Sequence, residues 1–297
     1  MAPTTEPPCP CQVRNALAWA AAYLKARGSS TPRLDAEVLL QTLLRLDRAG
    51  LLVSGDRWLA RAEWAAFYRL VARRGAGEPV AYLTGTKEFW SRPLTVTPDV
   101  LIPRPETEVL VALALKRARE CERADAGPLR ILDLGTGSGA VAVTLACELP
   151  GAQVTATDLS EAALEVARAN AARHGAAVTF LRGDGLAAVR PDARFELLCA
   201  NLPYVPSDDP RLDPGVRRYE PRAAWDGGPD GLAALRSVIP QAPRFVTPGG
   251  WLLLEIGEGQ AEAVAGLIAA TGEFEPAARW PDLSGSVRVV EARRTEA

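Results

Sequence analysis

The run Leu198-Cys199-Ala200-Asn201-Leu202-Pro203-Tyr204-Val205-Pro206 passes within a few residues from apolar side chains to an amide, a rigid turn and an aromatic ring. Phe195 to Ala200 predicts a buried parallel strand, because a short run rich in Leu, Phe and Cys suits a strand covered on both faces. Asn201 to Tyr204 then fall at its carboxyl end, the edge at which open α/β sheets bind ligands. Asn201 offers a carbonyl acceptor and an amide donor. Pro203 holds Leu202 extended, giving its backbone carbonyl a set direction, and Tyr204 supplies a flat face. Such a group suits a planar NH2; the plainer alternative is a proline turn with a capping Asn.

Upstream, strands and helices alternate. Leu129 to Leu134 predicts a strand, Ser138 to Cys147 a helix, Gln153 to Thr157 a strand, Glu161 to His174 a helix and Val178 to Leu181 a strand. Downstream, Leu232 to Phe245 predicts a helix, Trp251 to Glu255 a strand and Gln260 to Ala270 a helix. Phe274 to Trp280 and Val287 to Ala292 read as a closing strand pair. This alternation implies an α/β fold, mostly parallel with right-handed crossovers.

Asp133-Leu134-Gly135-Thr136-Gly137-Ser138-Gly139 lies where the first strand meets the first helix. Gly135 permits a tight turn, Gly137 close approach of a ligand to the backbone and Gly139 close helix–sheet packing. The spacing differs from the usual dinucleotide fingerprint, and no Gly-Lys-Ser/Thr follows for a triphosphate. A merely structural turn is the alternative. Asp158, at the end of the second strand, is placed to accept from a ribose diol, or else to cap the next helix, a role Ser160 fits equally. Asp184, followed by Gly185, falls after the third strand, within reach of an adenine amino group or in solvent. Glycine loop, acidic strand end and the Asn201–Tyr204 grip together point to S-adenosylmethionine, which has a ribose, an adenine and an amino-acid tail but no phosphate. Its carboxylate can use the amides of a helix N-terminus.

The first part of the chain differs in kind. From Val13 to about Val80 the periodicity is helical, with faces at Leu17, Ala20, Ala21 and Leu24, at Leu34, Val38, Leu39, Thr42 and Leu43, and at Trp64, Phe67, Leu70 and Val71. Trp19, Trp58 and Trp64 read as core or docking residues. Lys87 to Trp90 and Leu94 to Thr97 predict a hairpin closed through Ser91-Arg92-Pro93. A stiff Val100 to Glu108 segment then leads into a helix on Val109, Leu110, Leu113 and Leu115. The expected domains are a disordered terminus over 1–12, a helical domain over 13–85, a hairpin linker over 86–103 and an α/β domain over 104–297.

The chain has 297 residues, 48% of them hydrophobic, enough for two cores. Its 34 basic and 36 acidic residues nearly cancel, so no global field draws nucleic acid or an anionic membrane. No apolar run is long enough for a bilayer span. Met1 to Cys11 lacks the order of a signal peptide, and the cysteines at 9, 11, 121, 147 and 199 lack metal-ligand spacing. A cytoplasmic monomer with free thiols, no metal and no direct nucleic-acid binding is expected. His174, the one histidine, reads as a solvated helix end rather than a catalytic group.

The chain resembles the class I methyltransferases, and in particular the bacterial family that methylates a glutamine of peptide-chain release factors. The resemblance rests on Gly77-Glu78-Pro79-Val80-Ala81-Tyr82-Leu83-Thr84-Gly85, on Phe89-Trp90, on Val100 to Glu108, on the glycine loop and on Glu220 to Leu232. It implies a Rossmann-like class I methyltransferase sheet with an antiparallel final strand, a small all-helical N-terminal domain and a β-hairpin linker; the helical domain is expected to dock the protein substrate, because a lone glutamine is too small to give selectivity. It also implies S-adenosylmethionine as cofactor, S-adenosylhomocysteine as product, and release factors, methylated at N5 of a Gly-Gly-Gln glutamine, as partners. The implied catalytic residues are Asn201, Leu202, Pro203 and Tyr204. The implied cofactor residues are Gly135, Thr136, Gly137, Ser138, Gly139, Asp158, Asp184, Gly185 and Asn201. The family carries Asn-Pro-Pro-Tyr where this chain has Leu202, which keeps the backbone carbonyl, and an aromatic residue can replace Gly185. An Asn-Leu-Pro-Tyr form also resembles ribosomal RNA adenine dimethyltransferases, so the rival reading is an adenine N6-methyltransferase of RNA or DNA. A cofactor-binding module without turnover is the third.

Overall fold

The computed structural model describes residues 11–121 and 127–296. Contacts divide the chain into two units, one comprising the chain up to Thr86 with Asp213–Tyr219, the other Lys87–Leu212 with Glu220 onward. Most of the terminus expected to be disordered, 1–10, and Cys9 with it, lie outside the described residues. Cys11 is buried, and its carbonyl accepts from the Leu59 amide at 3.0 Å. Cys147 and Cys199 carry free thiols.

The first unit contains α1 (Val13–Ala26), α2 (Pro32–Leu44), α3 (Arg48–Val53), α4 (Arg61–Gly75) and α5 (Val80–Thr84). Pro32 opens α2, where its missing N–H costs nothing. The core joins Leu17, Ala20 and Leu24 of α1 to Leu39 and Leu40 of α2 and to Trp64, Phe67 and Val71 of α4. The face expected on α2 is corrected: Leu34 is 54% exposed and Thr42 is exposed, while Asp35, Ala36, Leu39 and Leu40 turn inward. Asp35 accepts from Ser29, Thr31 and Arg74, which satisfies its buried carboxylate. Trp64 is buried, whereas Trp58 is 60% exposed.

Next in the chain comes the hairpin β1 (Thr86–Phe89) and β2 (Arg92–Thr95), which from Lys87 onward belongs to the second unit. Its turn is Trp90-Ser91 rather than Ser91-Arg92-Pro93, with both residues at positive φ, the geometry that matches the twist of a two-residue hairpin. Glu108 holds it by accepting from the Trp90 amide at 2.8 Å. Then follow α6 (Glu108–Cys121), β3 (Arg130–Leu134), α7 (Ala140–Glu148), β4 (Gln153–Asp158), α8 (Glu161–His174), β5 (Val178–Arg182) and β6 (Phe195–Ala200). The short α9 (Pro214–Tyr219) belongs with the first unit, and its Tyr219 hydroxyl donates to the Ala76 carbonyl at 3.2 Å. The chain ends with α10 (Ala233–Val238), β7 (Val246–Glu255), α11 (Ala261–Ala269), β8 (Ala278–Pro281) and β9 (Val287–Arg293).

Local signals set several boundaries. Ser160 caps α8 by accepting from the Ala163 amide at 3.2 Å, and Gly175 ends it in the left-handed conformation. The helix expected over 232–245 stops at Val238 and continues as tighter 3-10 turns, because Pro240 and Pro243 have no N–H to extend it. The inward face of α6 is Leu110, Val111, Leu113, Ala114 and Ala118, so Val109 and Leu115 are only half-buried. The expected strand from Phe274 begins at Ala278, and Phe274 instead bridges Arg294.

The seven-stranded sheet runs β5-β4-β3-β6-β7-β9-β8, parallel from β5 to β7 and antiparallel at β7–β9 and β9–β8. Its central strands are apolar on both sides, with cores on each face. Asn170, on α8 and fully buried, ties hairpin and sheet together. It accepts from the Thr95 amide at 2.7 Å and donates to the carbonyls of Thr95 at 2.9 Å and Ser138 at 2.8 Å. His174 is half-buried rather than solvated, with Nε2 at 3.0 Å from the Pro93 carbonyl.

Asn170→Ala strands an amide and two carbonyls, each costing about 1–3 kcal/mol. The expected outcome is a loss of about 3 kcal/mol or more and a Tm lowered by roughly 6–12 °C, measured by calorimetry.

Candidate active site

Strand register brings the site together. Leu134 pairs with Thr157 and with Ala200, and Ala200 pairs with Leu254. The next residue on each strand, Gly135, Asp158, Asn201 and Glu255, therefore falls along one carboxyl edge. A cavity of about 490 Å³ opens there, a size suited to a nucleoside-sized ligand.

Gly135, Thr136, Gly137 and Ser138 line this cavity, as do Asp158, Asp184, Gly185, Asn201, Leu202 and Pro203. Gly139 and Tyr204 are not in the lining. Gly139 starts α7 against Ala167 and Val143, so a side chain at that point would crowd the helix packing. The Tyr204 hydroxyl donates to Glu255 Oε1 at 3.2 Å. Burial, reinforced by Glu255, pushes the Tyr204 phenol up.

The glycine loop is held by its own polar groups. Thr136 donates through its hydroxyl to Asp133 Oδ2 at 2.7 Å and through its amide to the Thr157 carbonyl at 2.9 Å. Burial pushes the Asp133 carboxyl up to about 7, with the Thr136 hydroxyl and the Ala142 amide opposing the rise and the charge of Asp158 adding to it. Asp158 accepts from the Gly137 amide and the Ser160 amide, each at 2.9 Å, so it braces the loop while also facing the cavity. Ser160, not Asp158, caps α8.

Asn201 donates from Nδ2 to Thr107 Oγ1 at 3.1 Å. That contact commits the amine end of the amide and leaves Oδ1 as an acceptor beside Leu202 and Pro203. The Glu220–Leu232 segment supports the same corner from outside. Val205 exchanges backbone hydrogen bonds with Trp225 and Gly227. A Cβ at Gly231 would lie 2.2 Å from the Tyr204 carbonyl, and one at Gly227 would lie 2.7 Å from that of Pro203, so only glycine permits this approach. Glu220, buried, accepts from the Ile102 amide at 3.0 Å and pairs with Arg104, clamping the wall made by Val100 to Arg104.

Thr107, Glu220 and Glu255 escaped the sequence pattern. Glu255 carries the same signal as Asn201, a lone polar residue ending an apolar strand; Thr107 and Glu220 lie inside motifs whose individual roles only the fold distinguishes.

Comparison with known proteins decides the family. Residues 15–85 match the model of the PrmC N-terminal domain, and residues 131–218 a methyltransferase domain. The release factor glutamine methyltransferase of Geobacter sulfurreducens is 46% identical over 290 residues, covering 97% of this chain and 99% of its own. That of Moorella thermoacetica is 46% identical over 286 residues, covering 96% and 99%. The chain belongs to the release factor glutamine methyltransferase family.

Solved structures carry the fold of this methyltransferase at low identity. A T. thermophilus 16S rRNA methyltransferase is 18% identical with a TM-score of 0.51, covering 70% of this chain and 49% of its own. The hMettl16 catalytic domain is 12% identical with a TM-score of 0.52, covering 69% and 75%. Among the described residues of the methyltransferase, no helix is long and apolar enough to cross a membrane, and no His, Cys, Asp or Glu cluster is arranged to hold a metal.

Because Asp133 is pushed up, the folded methyltransferase keeps a proton there that the unfolded chain has released. Stability therefore falls as pH rises from the ordinary carboxylate range to about 7, and levels off above. Asp133→Asn is expected to flatten that slope by up to about 1.4 kcal/mol per pH unit, read from urea unfolding at several pH values.

Proposed function

We propose that this chain transfers a methyl group from S-adenosylmethionine to the side-chain amide nitrogen of the glutamine in the Gly-Gly-Gln motif of peptide-chain release factors. The observation that carries the reading is Asn201, whose Nδ2 is tied to Thr107 and whose Oδ1 is left as an acceptor at the cavity. The names and extent of its relatives support the same substrate.

The residues present fit the cofactor. A Cβ at Gly137 would meet no protein atom within 4 Å, so the loop leaves open space where a ligand must approach the backbone. The N-terminus of α7 offers amides to a carboxylate. Asp158 retains acceptor capacity for a ribose diol, and Asp184 and Gly185, which also line the cavity, are the residues assigned to the adenine. When bound, the cofactor supplies an activated methyl on a sulfonium, an excellent leaving group.

The chain's own task is then positioning. An amide nitrogen is a weak nucleophile because its lone pair is delocalised into the carbonyl. Asn201 Oδ1 and the Leu202 carbonyl accept its two N–H groups, orienting the nitrogen and favouring the positive charge that develops on it. Pro203 keeps Leu202 extended, so the carbonyl survives the replacement of the family's proline. Tyr204 backs the grip through Glu255. A single glutamine is too small to confer selectivity, so the helical unit docks the protein substrate; its exposed Leu52, Val53 and Trp58 supply apolar surface.

Incubation with methyl-labelled cofactor and release factors, ribosomal RNA or DNA tests the reading. Label is expected in the release-factor glutamine, and label confined to nucleic acid would overturn it. Asn201→Ala is expected to lower turnover by about 100-fold or more while cofactor binding persists. Asp158→Ala is expected to weaken cofactor binding by roughly tenfold or more, read by calorimetric titration.

A further inference from the structure

An asparagine side chain can occupy its site in two orientations related by a half-turn, and only one presents oxygen to the cavity. Nothing within Asn201 selects between them; its neighbours must. Its Nδ2 donates to Thr107 Oγ1. A hydroxyl has two lone pairs and one proton, so it accepts reliably only while that proton is committed elsewhere.

Glu255 provides the commitment. It ends β7 one residue beyond Leu254, the partner of Ala200, and so stands beside Asn201 at the end of β6. Its side chain is fully buried. Oε1 accepts from the Tyr204 hydroxyl, and the Thr107 hydroxyl also bears on this carboxylate. Oε2 is buried without a hydrogen-bond partner, an acceptor open to the Thr107 hydroxyl nearby. An ionised carboxylate can only accept. The polarity therefore runs one way, from Asn201 to Thr107 to Glu255, with Tyr204 donating from the other side.

We propose that Glu255 and Thr107 are positioning residues that lock the Asn201 amide with Oδ1 toward the cavity, the carboxylate acting through the threonine hydroxyl. Their importance for turnover rests on the glutamine-methylation reading above; the lock itself is a property of the protein alone.

Protonation releases the lock. Burial pushes the Glu255 carboxyl up to about 7; the Thr107 and Tyr204 hydroxyls and Arg288 oppose the rise, and Glu106 adds to it. A protonated carboxyl has a hydrogen to give, which frees the Thr107 hydroxyl to donate and the amide to turn. Orientation is firm above about pH 7 and loosens below it.

Glu255→Gln keeps the shape but offers both a donor and an acceptor, so polarity is no longer dictated. Turnover is expected to fall roughly 10–100-fold, the usual effect of losing a partner that orients a site group. Cofactor affinity stays unchanged, and kcat loses its rise with pH near 7. Thr107→Val should reproduce the loss and Thr107→Ser restore most of it. Independently of substrate, the Asn201 side-chain amide signals in selectively 15N-labelled protein, assigned by their loss in Asn201→Ala, should titrate near pH 7 in the parent and not in Glu255→Gln. Parent-like kcat in both Glu255→Gln and Thr107→Val, loss of kcat in step with cofactor affinity, or a pH-independent Asn201 signal in the parent would each overturn the lock. Failure of the parent to methylate release factors would instead sink the functional reading, with the amide titration still deciding on the lock.

Discussion

Parallel pairing of β3, β6 and β7 in one register is the constraint from which the rest follows. Three strands buried on both faces must end together, because any unpaired backbone extending past its neighbours would leave N–H and C=O groups unsatisfied in an apolar core. The residues just past the common end are the first that are able to be polar. Gly135, Asn201 and Glu255 occupy those places, with Asp158 beside them on β4. The glycine loop, the amide and the carboxylate thus meet without any long loop being needed to gather them.

The buried polar groups around this edge are tolerated because almost every one has a defined partner. Asp133 takes the Thr136 hydroxyl, Glu220 takes Arg104 and a backbone amide, and Asn170 uses both ends of its side chain. Desolvation is then offset locally, and the geometry is fixed by the number of donors and acceptors rather than by shape alone. Thr157 Oγ1 and Glu255 Oε2 are buried there without a hydrogen-bond partner, and Glu255 ends the strand next to that of Asn201. The raised Cys199 thiol, by contrast, follows from burial next to Asp133 and has no partner role in the site.

Much of this was legible in the sequence. The bounds of α8 and β6 follow from signals carried by the segments themselves, a capping serine, a terminal glycine and an abrupt change from apolar to polar. The cavity-lining loop and Asn201 to Pro203 follow from the rule that ligands gather at strand ends. What was not legible depends on neighbours distant in sequence. The inward face of α2 is ambiguous in sequence because apolar residues surround much of that helix, and only packing against α1 and α4 selects Leu39 and Leu40. The hairpin turn is concealed because Trp90 and Ser91 are residue types that disfavour positive φ, whereas Pro93 resembles a turn residue yet sits in an edge strand. The partner of the Tyr204 hydroxyl is likewise set by a distant strand, since the register of β7 on β6 brings Glu255 to the same edge.

Asn170 has a wider consequence. By accepting from and donating to the same residue of β2, its carboxamide imitates the two backbone groups of an adjoining strand. The outer rim of the hairpin is therefore capped by a side chain at Thr95, and an extended peptide from another molecule would find its docking positions there already taken.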